Sequence, residues 1–362
     1  MKKLPYLYIR GLRKVDHTVF AVNDGQKFYY DPQFGYKQAY SSGQQVKRSI
    51  IDALNLPFAA ITFNWEIENY GKEDKEAAKQ KEPHSPCDPT FADQLLGGYM
   101  KAESGTSTVK RRSPLSISAM RPIHPLLGGI ESPMENLTFD RTSYPDHHKV
   151  KVYKVENKKR VEIEQEELVT WLKDINRSLP NRAYIRDQTR ASGLFVYDIA
   201  IDLRTLFCVS TNRFEPELFP EVEEKLKEEK WIESKNIFGK CLVCPPEKRK
   251  EIIESLAHAI INWRITSNQA RTLSLMETIA VSISNNANKI AFSIRGELSD
   301  ATERPTAVPV LDESAGTQLF QTPLVSSIIP GFSGSANALD KAEQYIIEYL
   351  NSYDYEKQEF IQ

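Results

Sequence analysis

The sequence predicts an α+β fold. Apolar and polar residues alternate at period two in several short segments, the pattern of strands, and apolar residues recur at helical spacing in others. A third observation is the tract from Met120 to Gly193, which lacks core periodicity and marks a functional excursion from the core or a disordered stretch.

Tyr6 to Val22 reads as one long strand, or as a strand that bends at Gly11. Ser42 to Leu54 reads as a helix that opens with a capping pair. Ser42 can accept the backbone N–H of Gln45, and the Gln45 side chain can reach back to the Ser42 N–H. Val46, Ile50, Ala53 and Leu54 then share one face. Ala59 to Trp65 has the pattern of a second strand. Glu66 to Glu82 is polar and charged without core periodicity, a linker or a weak outer helix. Phe91 to Met100 suits a short helix ended by Gly97-Gly98.

Val109 to Met120 reads as a strand, with Leu115, Ile117 and Ala119 on one face and Ser116 and Ser118 on the other. Phe195 to Arg204 is the cleanest strand. Phe195, Tyr197, Ile199, Ile201 and Leu203 share one face, and Asp198, Asp202 and Arg204 the other, as in a sheet covered on one side only. Glu221 to Lys230 has the pattern of a solvated helix face. Glu247 to Trp263 is an amphipathic helix, Lys289 to Ile294 a strand, and Asn337 to Tyr349 a closing helix.

Composition sets the outer bounds. With 362 residues, 40% apolar and 27% charged, the chain has the makeup of a soluble globular protein of one large or two modest domains. No run of 18 apolar residues suggests a membrane span. The start, Met-Lys-Lys-Leu-Pro-Tyr-Leu-Tyr-Ile-Arg, has the charges of a signal peptide without an uninterrupted apolar stretch behind them. Four cysteines point to a reducing compartment, so a cytoplasmic location is expected. A net charge of −2 gives no whole-protein field for a polyanion.

Any nucleic-acid contact must therefore rest on local charge. The start of the Ser42 helix offers free N–H groups, Ser41, Ser42, Gln44, Gln45 and a close-approach glycine, Gly43, with Lys47 and Arg48 about one turn later. That is an anion site, and a repeated anion on an extended polymer is a nucleic-acid backbone. An ordinary capped helix with two solvated cations has the same pattern. Further along, Lys110, Arg111, Arg112 and Arg121 have no acid among them between Ser104 and Ile130. Lys149, Lys151, Lys154, Lys158, Lys159 and Arg160 face a single acid, Glu156. The acids collect elsewhere, at Glu162, Glu164, Glu166 and Glu167 and from Glu215 to Glu233. Basic stretches can meet phosphates while acidic ones point away or meet a neighbouring subunit.

Other motifs are weaker. Cys241-Leu242-Val243-Cys244 has zinc-knuckle spacing, but a structural zinc site needs a second pair, so no metal or cofactor is expected. Asp146-His147-His148 lacks the companion acids of a phosphoesterase; after Pro145, in a basic stretch, its histidines can stack or hydrogen-bond to RNA. There is no Gly-x-Ser-x-Gly elbow and no phosphate loop.

Several of these pieces appear together in a known order. Ile9-Arg10-Gly11-Leu12 comes first, then Asp31-Pro32-Gln33-Phe34-Gly35 running into Ser41-Ser42-Gly43-Gln44-Gln45-Val46-Lys47-Arg48. Asp93-Gln94-Leu95-Leu96-Gly97-Gly98 follows, then Lys110-Arg111-Arg112-Ser113-Pro114-Leu115-Ser116-Ile117-Ser118, and finally Phe195-Val196-Tyr197-Asp198-Ile199-Ala200-Ile201-Asp202-Leu203. On these residues the chain resembles the backbone subunits of CRISPR effector complexes, the DevR-like branch of the repeat-associated RNA-binding superfamily, and among them the Cascade backbone of type I systems. Leu96 stands where the family's Asp-x-x-Leu-Phe-Gly segment has Phe. The resemblance runs from about residue 5 to about residue 205, more faintly through Asn268-Gln269-Ala270-Arg271, and does not reach the last 60 residues or so.

The resemblance implies a modified RNA-recognition-motif, ferredoxin-like palm with a finger insertion and a β-hairpin thumb. Residues 1–65 would be the first part of the palm, 66–105 the finger, 106–121 a palm strand, 122–193 the thumb, and 194–362 the rest of the palm with C-terminal helices. It implies a crRNA-binding subunit of an antiviral surveillance complex, stacked in several copies along the guide, with other effector subunits, a target nucleic acid and further copies of itself as partners and no membrane. The thumb would displace one nucleotide at intervals and base pairing would read sequence; head-to-tail contacts would build an open helix. Implied RNA contacts are Arg10, Ser41, Ser42, Gly43, Gln44, Gln45, Lys47, Arg48, Lys110, Arg111, Arg112, Arg121, His124, His147, His148, Lys149 and Arg190. No catalytic residue is expected. The alternatives are a target-RNA-cleaving relative that uses Asp24 or Asp31, and an unrelated RNA-binding protein of the same fold. Asn23-Asp24-Gly25 and Tyr30-Asp31-Pro32 are both turn chemistry, and the glycine-rich loop of cleaving relatives is missing.

Overall fold

Eight elements organise the larger part of the chain: β1 (Tyr6–Thr18), α1 (Gly43–Asp52), β2 (Leu115–Ile117), β3 (Arg190–Asp202), α2 (Pro246–Asn262), β4 (Thr278–Ser284), β5 (Gln318–Gln321) and α3 (Ala338–Asn351). The computed structural model describes residues 4–20, 26–70, 75–102, 108–131, 137–140, 151–156, 159–179, 182–185, 190–265, 273–299 and 303–361. The chain divides into a unit of residues 1–130 with 191–362 and a second of residues 131–190.

In the first unit β1 is the middle strand. It pairs antiparallel with β3, from Tyr6↔Asp202 to Thr18↔Ala191, and on its other side with β4, from Tyr8↔Ser284 to Arg13↔Thr278. β2 pairs antiparallel with β3 through Ile117↔Ile199 and Leu115↔Ile201, and β5 extends the sheet beyond β4. The order is therefore β2–β3–β1–β4–β5. Along the chain the first six elements run β–α–β–β–α–β. Since β1 and β2 are both antiparallel to β3, they are parallel to each other, and α1 makes their crossover; α2 does the same for β3 and β4.

One face of this sheet is core. Leu7 and Ile9 of β1, Phe195, Tyr197, Ile199 and Ile201 of β3, and Val281 and Ile283 of β4 pack in one cluster with Val46 and Ile50 of α1, Leu256 and Ile260 of α2, and Ala342 and Ile346 of α3. Each fully buried Leu, Ile or Phe contributes about 1.5–3 kcal/mol. Gly11 is needed at the centre: a Cβ there would meet the Tyr197 ring at 2.5 Å. Beside it the fully buried Arg13 has no carboxylate partner among the described residues. It donates to the Trp263 carbonyl at 2.9 Å and lies 3.9 Å from the Trp263 ring, and burial pulls its pKa down to about 10.

The other face is only partly open. Leu12 and Ala280 pack with Ile294, Leu311, Val325 and Ile329 in a second cluster over one end of the sheet. Tyr6, Asp202, Ala200 and Ser116 stay outside that cover. The expectation of a sheet covered on one side thus holds only at the end of the outer face that carries these four residues; the second cluster, most of its cover drawn from segments beyond residue 290, closes the other end.

Several elements differ from expectation. Residues 65–80 form a hairpin, Trp65–Tyr70 with Lys75–Gln80, paired Trp65↔Gln80 to Tyr70↔Lys75. Trp65 and Ile67 are exposed, so burial imposes no alternation on it and periodicity could not reveal it. Ahead of it, residues 59–64 are mostly exposed and contribute only a bridge at Thr62 to His84. Val109–Arg111 and Leu115–Ile117 are two strands, interrupted next to Pro114, which lacks a donor for the ladder. Ala287–Ser293 is a helix rather than a strand: Asn286 Oδ1 accepts the N–H groups of Asn288 and Lys289, and the strand begins only at Ile294. β1 runs through Gly11 as one strand; its pairing shifts with β4 between Leu12 and Arg13 and with β3 between Val15 and Thr18.

The second unit holds a strand pair, Leu137–Asp140 with Arg182–Ile185, a hairpin, Tyr153–Glu156 with Lys159–Glu162, and the helix Gln165–Asp174. Its opposite charges meet within the unit: Lys151 pairs with Glu162 and Lys154 with Glu167, each at 3.0 Å. Exposed pairs of this kind contribute about 0–1 kcal/mol each.

Candidate nucleic-acid interface

The start of α1 is built as the sequence implies, with one change. Ser42 is the N-cap and its hydroxyl accepts the Gln45 N–H at 3.3 Å. Gln45 Oε1 accepts the Ser41 hydroxyl at 2.9 Å. The N–H groups of Gly43 and Gln44 have no partner among the described residues, so the positive end of the helix is available to an anion. Gly43 fits against the edge of β2: a Cβ there would meet the Ile117 carbonyl oxygen at 2.4 Å. The Ser41 N–H donates to the Met120 carbonyl and the Met120 N–H returns to Ser41, locking the helix start to the chain after β2.

That lock brings Arg121 to the helix start. Its guanidinium lies 5.1 Å from the Tyr29 ring, which meets Tyr40 edge-on at 5.9 Å. Tyr29 belongs to a hairpin, Phe28–Tyr30 with Lys37–Ala39, that sequence reading passed over. It is rich in exposed rings: Tyr30 is 65% and Tyr36 53% exposed, and the Lys37 ammonium sits 3.8 Å from the Phe28 centroid. Phe34 lies edge-on to His124 at 5.5 Å. Such rings can stack on unpaired bases. The signal was present in Lys27-Phe28-Tyr29-Tyr30 and Tyr36-Lys37, aromatics interleaved with cations, but the fragment is too short for periodicity to flag.

Other implied contacts have structural roles. Arg10 makes a fork to Asp198, Nε to Oδ1 at 2.6 Å and Nη2 to Oδ2 at 3.0 Å, and Nη1 donates to the Ile294 carbonyl at 3.0 Å. Arg111 is 3% exposed and donates to the carbonyls of Leu95, Cys208 and Thr205 and to Glu217. Lys47 Nζ donates to the Gly97 carbonyl at 2.7 Å, capping the helix Ala92–Gly97, and burial holds its pKa down to about 8. Arg48 pairs with Asp52 at 2.8 Å on the exposed side of α1. Arg190 is buried. Lys110 and Arg112 are exposed and have no ion pair among the described residues. His147, His148, Lys149 and Asp24 lie outside the described residues, as do Asn268 to Arg271.

Asp31 Oδ1 accepts the N–H groups of Gln33 at 3.0 Å and Phe34 at 2.8 Å, a turn of the kind its sequence suggests. Among the described residues no cluster of three or more His, Cys, Asp or Glu could hold a metal ion. Cys241 and Cys244 are buried, and burial pushes the Cys244 thiol up to about 12. Among the described residues no helix is long and apolar enough to cross a membrane.

No family model and no curated protein matches the chain. Among solved structures it is similar to a chain of a "CRISPR RNA-guided surveillance complex, pre-nicking", with a TM-score of 0.42 and 11% identity over 96% of this chain and 88% of that one. It is also similar to a chain of a "CRISPR RNA-guided surveillance complex", with a TM-score of 0.33 and 8% identity over 96% of this chain and 84% of that one.

Proposed function

We propose that this chain is a guide-RNA-binding backbone subunit of a CRISPR surveillance complex, stacking in several copies along the guide and presenting it for pairing. The observation that carries the reading is the β–α–β–β–α–β order with β1 central and β3 and β4 beside it, an arrangement that suits an RNA-recognition-motif palm. It accords with the motif order that carries the family resemblance. On this palm the α1 start offers unpaired N–H groups beside Arg121 and an aromatic hairpin, a combination suited to a phosphate with its unpaired base. All but the first residue of the hairpin at residues 65–80 lies in the segment expected to be the finger, and the unit of residues 131–190 lies in the one expected to be the thumb.

A scaffold role is favoured over a nuclease. The Asp31 carboxylate is engaged by two backbone N–H groups, and among the described residues no second acid or histidine is hydrogen-bonded to it.

The test is Gln44→Glu. Gln44 is exposed in the first turn of α1, where an acid favours the helix by about 0.3–1 kcal/mol. The same acid repels a phosphate. The expected result is unchanged or raised thermal stability with RNA affinity down roughly tenfold, a cost of about 1.4 kcal/mol, and partial recovery in Gln44→Lys. Equal affinity in all three proteins removes the helix start from the interface.

A further inference from the structure

A second concave site lies on the part of the central sheet's outer face that the second apolar cluster leaves uncovered. Tyr6, Ser116, Ala200 and Asp202 are its floor, from three adjacent strands, and the cleft encloses about 910 Å³. Lys110 and Arg112, both exposed, line it together with two phenylalanines. Phe214 is 95% exposed and Phe238 63% exposed.

Both phenylalanines stand on turns closed by an asparagine side chain. Asn212 Oδ1 accepts the Phe214 N–H at 2.8 Å, and Asn236 Oδ1 accepts the Phe238 N–H at 2.8 Å. The Asn236 amide donates onward to the Arg204 carbonyl at 3.3 Å. The Arg204 guanidinium lies 4.8 Å from the Tyr6 ring and 5.1 Å from the Phe238 ring, and it hydrogen-bonds the Tyr6 hydroxyl. Asp202 neutralises Arg204 at 2.8 Å, and Glu217 is paired with Arg111. Among the described residues that line the cleft, Lys110 and Arg112 are then opposed by Glu215 alone, which leaves that lining net positive.

A solvent-facing phenyl ring contributes nothing to the core, and two of them set on fixed turns opposite two cations are arranged for a ligand with a flat apolar face and a negative charge. We infer that this cleft binds single-stranded nucleic acid, with an unpaired base stacked on Phe238 or Phe214 and a neighbouring phosphate on Lys110 and Arg112. Stacking on a phenyl face tolerates any base, and the cations read only the backbone, so binding is independent of sequence. This site is separate from the start of α1 and does not depend on the reading given to that helix.

The probe is a short single-stranded RNA carrying one fluorescent adenine analogue, compared with the same strand bearing an abasic position. Phe214→Ala with Phe238→Ala changes side chains that are largely in water, so thermal unfolding should match the parent. That variant should bind the intact strand roughly ten- to a hundredfold more weakly and lose the quenching of the analogue, while binding the abasic strand like the parent. Lys110→Ala with Arg112→Ala should lower the slope of log affinity against log salt by roughly 1.4. Unchanged affinity, quenching and slope in both variants overturn the proposal, even where Gln44→Glu weakens binding. Loss of binding in Gln44→Glu alone leaves the helix start as the interface and removes the cleft. Concentration-dependent self-association that disappears in the phenylalanine variant, with RNA binding intact, also overturns it and assigns the cleft to a second copy of the chain.

Discussion

Lys47 connects the fold to the proposed interface, and its titration gives a signed test. Its ammonium is half-buried, donates to the Gly97 carbonyl at 2.7 Å, and has its pKa lowered by burial from 10.5 to about 8. Below about 8 the folded and unfolded chains are both protonated here, and the folded state carries the full cost of the confined charge. Between about 8 and 10.5 the folded chain releases the proton that the unfolded chain keeps, so stability rises with pH across that window. At 1.36 kcal/mol per pH unit the full swing is roughly 3 kcal/mol. Lys47 retains some contact with water, and screening reduces this to about 1–2 kcal/mol. Lys47→Met removes the titration and also the hydrogen bond to Gly97, itself about 0.5–1.5 kcal/mol. The assay is denaturant unfolding of parent and variant in parallel from neutral to alkaline pH. The parent should gain on the variant by about 1–2 kcal/mol as pH climbs through the window. A difference that stays flat, or falls, refutes the reasoning. If a phosphate sits at the start of α1, it should favour the charged form, so RNA binding near the lowered pKa should take up protons. Calorimetry in two buffers of unlike ionisation enthalpy would measure that uptake.

Two further outcomes follow from single side chains. Arg111→Lys cannot reproduce four separate acceptors, three of them carbonyls, and should cost roughly 2–3 kcal/mol of stability while leaving the RNA affinity of the folded protein unchanged; a folded variant of normal stability and weak RNA binding would return Arg111 to the interface. Asp31→Ala should loosen the turn at Gln33 and Phe34 by about 1 kcal/mol, and neither it nor the parent should cut a base-paired target RNA, with or without divalent metal; regularly spaced cuts lost in the variant would make the chain a nuclease.

Sequence was informative wherever one face of an element is buried. β3 and α1 were legible because Phe195, Tyr197, Ile199 and Ile201 all enter the core, and because Val46 and Ile50 pack against them. The Ser42 cap was legible because its chemistry is local. The hairpin at residues 65–80 was not, since the side chains described in it, residues 65–67 and 78–80, face water and burial imposes no period on them. The helix at Ala287–Ser293 reads as a strand in sequence because Ile290, Phe292 and Ile294 alternate with Lys289, Ala291 and Ser293 at period two, yet of the first three only Ile290 and Ile294 pack inward while Phe292 is 60% exposed. The roles of the cations were the least legible part. Arg10, Arg111 and Lys47 look like phosphate ligands in a list of charges, yet each is spent on carbonyls or a carboxylate contributed from far along the chain. The aromatic cleft was missed for the same reason: Tyr6, Phe214 and Phe238 are brought together only by the order β2–β3–β1 and by turns after residue 210.

The central claim is that copies of this chain assemble along an RNA. The direct measurement is the mass of the complex formed with guide RNAs of increasing length, by native mass spectrometry or light scattering. Copy number should rise in steps with RNA length. One copy on RNA of every length would contradict it and leave an ordinary RNA-binding module.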